Sequence, residues 1–404
     1  MKRKVFKVLF STIGVSLLVT SCSKPEEISS KKVETASSDT SIHDDSYTIR
    51  IFDIDGKKIS EKSVLGDNFY NVLKNNFNVV DSNTDWGHYI TSIDSSIVDS
   101  NYYLALYKNG SFSEVGVDTI EVKSKDIIDF KVECFNTSFD KYDLLVDKAI
   151  YSYAKDKLQN KLNNYINYSS FPWELASINL MQKNNYDSIF NTDSLKEEYK
   201  ESLINTNVNE LTGANFGKWY YGARACNLDN SLFKEAYKSY LEKQTEYGMY
   251  MEYEYPFTLS IAKDLGLESF VSNDLINTTY KASMEASGIA WQYTGLASYK
   301  KFKKEELESE LTFERLNDIY VSFKDVAISS YILAYTANNI NPRDILIKDS
   351  KDLIEYLFDN YYDEEKFMFT IEESENDYSS NQIYSALMAY KVLRDKKKAA
   401  NIFE

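Results

Sequence analysis

The chain is poor in the residues from which most metal and catalytic sites are made. Its 404 residues include two histidines, His43 and His88, and three cysteines, Cys22, Cys134 and Cys226. A structural zinc site needs four Cys or His ligands, and a Ser-His-Asp or Cys-His arrangement needs a histidine base, so both have almost no raw material. Proline (4) and glycine (13) are scarce too, which favours helices over long irregular loops. Positive charge is in deficit, with 46 Lys and Arg against 62 Asp and Glu and a formal charge of −16. Such a chain repels a nucleic-acid backbone or an anionic bilayer surface. It has no Gly-rich phosphate loop, and beyond the N-terminal region no apolar run is long enough to cross a membrane. What it has in quantity is aromatic residues, with 33 Tyr and 22 Phe.

The first residues read as an address. Lys2, Arg3, Lys4 and Lys7 precede the apolar run Val8 to Val19, the anatomy of a secretory signal. The run ends Val19-Thr20-Ser21-Cys22, which resembles the lipobox of bacterial lipoproteins. That resemblance implies a signal peptide over 1–21, lipidation of Cys22 by acyl chains such as palmitate, and a tether to the extracellular face of the cell membrane. Residues 22–46 are rich in Ser, Lys, Glu, Thr and Asp without hydrophobic period and read as a disordered stalk. Cys134 and Cys226 sit in apolar settings and read as small buried hydrophobes.

From Tyr47 the pattern changes to that of a small β-rich domain with one helix, over 47–135. Tyr47 to Asp53 alternates as a strand, and Asp55-Gly56 reads as a hairpin-type turn rather than a calcium loop, whose third acid and distal Glu are missing. Phe69, Val72, Leu73 and Phe77 have the spacing of a short amphipathic helix with Asp67 or Asn68 as its cap. Strands are expected at His88 to Ile93, Tyr102 to Tyr107 and Ile127 to Val132, with Asn109-Gly110 as a tight hairpin. His88, on a strand without an evident partner, reads as a packed or surface residue rather than a ligand.

These segments carry a resemblance. Leu65-Gly66-Asp67 with NVLKNNF, GHYITSID at Gly87 to Asp94, YYLALYKNG at Tyr102 to Gly110 and VGVDTIEVKSKDIIDFKV at Val115 to Val132 resemble the DUF4430 domain. That family is similar to the β-domain of the cobalamin carriers transcobalamin and intrinsic factor. Asn109-Gly110 and Gly116-Val117-Asp118 match its NG turn and Gly-x-Asp, whereas Ser124-Lys125-Asp126 lacks the Gly of its last turn.

Residues 140–404 read as all-α, so the chain is expected to be multidomain, a β-rich α+β unit followed by a helical one. Apolar residues from Leu144 to Ile166 fall at helical spacing. Helices rich in small residues then recur, at Trp173 to Ser177, Trp219 to Ala225, Tyr255 to Ala262, Asp325 to Ala334 and Ser380 to Ala389. Small side chains let helix backbones converge on an axis. The recurrence is similar to the α/α toroid of the terpenoid cyclase and prenyltransferase superfamily, shared with the helical domain of the cobalamin carriers; an open solenoid is the other arrangement the pattern allows.

The enzymes of that superfamily find no counterpart here. No histidine follows His88, and the DDxxD and DxDD boxes are absent. The acidic runs at Asp363 to Glu365 and Glu372 to Asp377 read as a solvated rim of the ring mouth. The expectation is therefore a non-catalytic protein without cofactor or metal. The resemblance implies a small bulky ligand, corrinoid or cobalamin-like, clasped between the two domains and passed to a membrane transporter. The candidate contacts are Asn109 and Gly110 on the hairpin, and Trp291, Gln292 and Tyr293 at the ring mouth. A surface scaffold or adhesin binding glycans or proteins, with a filled ring, is the alternative.

Overall fold

The computed structural model describes residues 45–96, 99–158, 172–186, 189, 192–247, 254–271, 286–317, 324–370 and 377–404. Cys22, His43, most of the expected stalk, the continuation of the first long helix beyond Leu158 and the acidic run Glu372 to Glu375 lie outside them. Residues 44–404 form one compact unit.

The β-rich part is a five-stranded sheet in the order β2-β1-β7-β5-β6. Its strands are β1 (Tyr47–Phe52), β2 (Lys58–Val64), β5 (Tyr102–Lys108), β6 (Ser111–Phe112) and β7 (Ile127–Cys134). β1 runs parallel to β7, with Arg50 opposite Asp129, and the other pairs are antiparallel. The hairpin turns fall where expected: Gly56 has φ of 80°, and Asn109 and Gly110 have φ of 51° and 82°, the two successive positive values of a type I′ turn. One face of the sheet buries Ile49, Ile51, Leu106, Ile128 and Phe130 under helix α1 (Phe69–Asn76) and a separate ribbon of β3 (Val79–Thr84) and β4 (Gly87–Ile93). Asn68 caps α1 by accepting from the Asn71 amide. Strands β2 and β3 carry little hydrophobic alternation, with one and no fully buried residue respectively. They are held by their partners' backbone, and their sequences do not announce them.

The helical part, among the described residues, has twelve helices. Six of them supply most of the core: α3 (Trp173–Lys183), α5 (Gly213–Ala225), α7 (Tyr255–Asp264), α8 (Ala286–Leu296), α11 (Lys324–Ala337) and α13 (Asp377–Lys396). Each packs on the next, and α13 packs back on α3. The remaining helices lie outside this cycle: α2 (Lys141–Tyr153), α4 (Asp193–Ile204), α6 (Lys234–Tyr247), α9 (Lys304–Glu310), α10 (Phe313–Asn317) and α12 (Leu353–Tyr361). Every residue of α11 after Lys324 is buried, as expected of a helix surrounded on all sides. Its buried hydroxyls bond back along their own helix, Ser329 to the Asp325 carbonyl and Ser330 to that of Val326 at 2.8 Å each. Ser177, Ser260 and Thr294 do the same on α3, α7 and α8. This is how a small polar residue enters a core without an orphaned donor.

One end of the cycle is filled by the chain's own last residues. Ala400, Ile402 and Phe403 are buried. The Phe403 ring lies 5.1 Å from Trp173 of α3, 5.6 Å from Tyr221 of α5 and 6.0 Å from Phe257 of α7. Asn401 donates to the Thr294 carbonyl of α8 at 3.2 Å, and the Ala400 amide to the Thr336 carbonyl of α11 at 3.0 Å. Four residues thus touch five of the six core helices. Phe403→Ala is expected to lower stability by about 3–5 kcal/mol, the usual cost of emptying a buried aromatic site. A urea titration followed by circular dichroism reads this directly, and a loss below about 1 kcal/mol would show that the tail does not hold the helices together.

Candidate functional site

The sheet and the helices meet over a buried ionic cluster. Lys391 of α13 has no exposed side-chain surface, and its ammonium lies 2.7 Å from Asp99, 2.9 Å from Asp147 and 3.2 Å from Asp395. Arg394, one helical turn on, donates to both carboxylate oxygens of Asp147 at 2.8 and 3.0 Å and to Asp395 at 2.7 Å. Its guanidinium also stacks 3.9 Å from the Phe139 ring in the segment joining the two parts. Hydroxyls complete the cluster: Tyr102 of β5 donates to Asp147 at 2.7 Å, Tyr186 to Asp395 at 2.8 Å, and Tyr151 to Asp99. Burial alone would push the Lys391 ammonium down, but Asp147, Asp99 and Asp395 hold it above its ordinary value. Burial likewise works against ionised Asp395, and Lys391 and Arg394 outweigh it, leaving that carboxyl below the usual range.

Beside this cluster a cleft of about 390 Å³ opens on the other face of the sheet. Its floor is the outward row of β1 and β7, and α2 contributes Lys148 at its edge. Arg50 grips Asp129 through two hydrogen bonds of 2.6 and 2.8 Å. Lys131 lies over the Tyr107 ring at 4.5 Å and over Phe52 at 5.9 Å. Glu133 accepts from the hydroxyls of Tyr107 at 2.6 Å and Tyr103 at 3.3 Å, and these bonds, with burial, push both phenols up, Tyr107 to about 12. Asp53 at the end of β1 pairs with Lys155, in the π-helical segment after α2. Asp55 pairs with Lys57 at 3.0 Å. The chemistry offered is recognition of charge and of a flat apolar surface. Among the described residues no group of three or more His, Cys, Asp or Glu is placed to hold a metal ion.

The residues singled out from sequence do not assemble. Asn109 ties its own turn to the start of β7, accepting from the Ile127 amide at 2.8 Å and donating to Asp126 at 2.8 Å. The hairpin lies at the end of β5 opposite Tyr102, the residue that meets α2, so roughly 20 Å of strand separates it from the helices. Nothing lies within 4 Å of the Cβ position of Gly110. Trp291 is buried with its ring 6.2 Å from that of Trp173 and its indole N–H unbonded, Gln292 is buried, and Tyr293 packs on Phe302 at 4.8 Å. These three, about 100° apart around the helix, point in different directions from α8, in which Tyr293 is the one residue not fully buried.

His88 also differs from expectation in having a partner. Its Nδ1 is 2.7 Å from Asp118, which accepts from the His88 amide as well, and its ring stacks 3.8 Å from Tyr70. Gly87 is needed there, because at its φ of 103° a Cβ would come within 2.4 Å of the Asp118 carboxylate. Cys134 and Cys226 are free thiols; Cys226 is buried and Cys134 half-buried. Burial pushes the Cys226 thiol up to about 11, so it stays protonated and unreactive near neutrality. Among the described residues no helix is long and apolar enough to cross a membrane.

Comparison with known proteins places one segment. Residues 66–133 match the family described as a domain of unknown function, DUF4430. The match begins after β1 and β2, although β1 lies inside the sheet between β2 and β7. The folded β-rich domain is therefore larger than the matched segment. No curated protein matches the chain.

Lys391→Met tests the cluster. Removing the ammonium leaves Asp99, Asp147 and Asp395 around Arg394, and stripping one partner from a buried ion cluster costs about 3–5 kcal/mol. The carboxylates would then be harder to ionise folded than unfolded, so the variant's stability should rise as pH falls from 7.5 to 5. The wild type should stay level there and lose stability only below about pH 4, as Asp395 is protonated. Urea midpoints of both proteins across this range check the two signs.

Proposed function

We propose that this chain is a non-catalytic, lipid-anchored protein of the outer cell surface that holds a small ligand in the cleft where its sheet meets its helices. The observation that carries the reading is the cleft itself, walled by Phe52 and Lys131 from the sheet and Lys148 from α2. Its volume of about 390 Å³ lies within the range of small-molecule sites. A corrinoid is too large to enter whole and would lie partly outside; a smaller planar compound fits inside. The helices are read as an α/α toroid, supported by six core helices of which each packs on the next and the last on the first. Delivery to a membrane transporter belongs to the same reading.

Anchoring has its own test. Cys22→Ser is expected to abolish incorporation of labelled palmitate and to shift the protein from the membrane fraction to the medium. Unchanged labelling would remove the anchor from the proposal.

A thermal-shift screen of cyanocobalamin, hydroxocobalamin and smaller planar compounds tests the cleft. A true ligand raises the melting temperature with the logarithm of its concentration, and Phe52→Ala should remove that rise. The reading fails if no compound shifts the wild type, or if every shift survives in Phe52→Ala.

One observation favours a second reading, a surface scaffold or adhesin. Trp86 at the tip of the β3–β4 ribbon is 98% exposed, and Tyr89 and Val80 further along the same ribbon are exposed too, while one end of the helix cycle is filled by Phe403. Exposed aromatics of this kind mark contact surfaces. Loss of cell-wall or protein binding in Trp86→Ser, with the screen negative, would decide for it.

A further inference from the structure

The charges around the seam cleft are unevenly matched. All four carboxylates lining it are engaged: Asp129 by Arg50, Asp53 by Lys155, Asp55 by Lys57, and Glu133 by two tyrosine hydroxyls. The two lysines lining it are not. Among the described residues, no carboxylate lies within 4 Å of the ammonium of Lys131 or Lys148, and Lys131 is steadied only by the rings of Tyr107 and Phe52. A solvated lysine needs no carboxylate partner, so the missing partners matter only where such lysines share a surface. Here two face one concave surface. The Phe52 ring offers an apolar wall beside them, and Ala105, buried between Tyr103 and Tyr107 along β5 and paired with Lys131 across the strands, keeps the floor low.

From this we infer that the cleft takes a small organic anion with a flat apolar body, a carboxylate or sulfonate on an aromatic frame. Its charge is met by Lys131 and Lys148 and its body lies against Phe52. The inference rests on the seam cleft being the binding site. A neutral ligand would leave both ammonium groups unmatched, and a cationic one would find three of the four carboxylates already holding a cation, with Glu133 alone held by neutral hydroxyls.

Two dyes that differ by one sulfonate group provide the test: 1-anilinonaphthalene-8-sulfonate and the neutral N-phenyl-1-naphthylamine, each titrated by fluorescence against the full folded chain. The anionic dye should bind at one site at least tenfold more tightly than the neutral one and weaken as sodium chloride is raised. Lys131→Met and Lys148→Met should each weaken it by roughly threefold to tenfold and leave the neutral dye unchanged. Lys148 is only half-buried, so its variant keeps the test valid if Lys131→Met folds poorly. Equal binding of both dyes, lost only in Phe52→Ala, overturns the anion inference and leaves the seam site standing. Binding of either dye that ignores Phe52→Ala and both lysine variants overturns the site as well.

Discussion

The placement of every other feature depends on the ammonium group of Lys391. It sits where the start of β5, the loop before it, helix α2 and helix α13 converge, and it has no contact with solvent. An unpaired charge there would be intolerable, so the three carboxylates and Arg394 must arrive together or the seam does not close. Such a cluster adds little net stability over a well-packed apolar core of the same volume. What it supplies is selectivity of arrangement, because a sheet docked one residue out of register would strand a carboxylate in the interior. The cleft inherits this registration. Asp147 and Lys148 are neighbours on α2, about 100° apart around the helix axis: the first enters the cluster and the second faces the cleft.

The helical part meets a different constraint. Six helices packed in a closed cycle leave little room at their contacts, and the residues there are small. Gly217 of α5 illustrates it, since a Cβ there would meet the Phe257 ring of α7 at 3.2 Å, and Gly222 makes room in the same way for the Tyr199 ring of α4 outside the cycle. Buried serines and threonines serve the same economy, since a hydroxyl bonded to its own helix needs no neighbour. The cost appears at the ends, where converging small residues cannot fill the space, and Phe403 supplies the missing bulk at one of them.

Much of this architecture was legible in the chain because it is local. The type I′ turn at Asn109-Gly110, the cap and stripe of α1 and the small-residue helices each depend on residues within one turn or hairpin of one another. What was not legible is what joins distant segments. Two of the partners of Lys391, Asp147 and Asp99, lie some 240–290 residues away in sequence, and β2 and β3 owe their strand conformation to their neighbours. A signal did exist: Asp143 and Asp147 recur four residues apart on an otherwise apolar stripe, as do Lys391 and Asp395 on α13. Charged pairs at helical spacing on a buried face are expensive unless they answer one another. The candidate contacts lie apart for the converse reason. Asn109 and Gly110 were noticed because their turn demands them, and Trp291 because it is large; turn chemistry and core filling account for both.

The face of the sheet that carries the cleft explains why the aromatic and charged residues of β1, β5 and β7 alternate as they do. The inward rows, Ile49 with Ile51 and Ile128 with Phe130, face α1 and are fully apolar. The outward rows are mixed: Arg50 stands beside Asp129 and Tyr107, then Phe52 beside Lys131 and Ala105, then Glu133 beside Tyr103. A merely solvated face would gain little from holding Lys131 between two rings, because an exposed cation–π contact is worth only about 0.5–1 kcal/mol and water serves the ammonium as well. Nor would it need two tyrosine hydroxyls turned onto Glu133 when solvent could meet that carboxylate. Each of these contacts withdraws a polar group of the floor from water and fixes its direction before anything arrives. A floor organised in advance, with its acids already answered and its two lysines left facing outward, is the arrangement that the proposed anionic ligand would need.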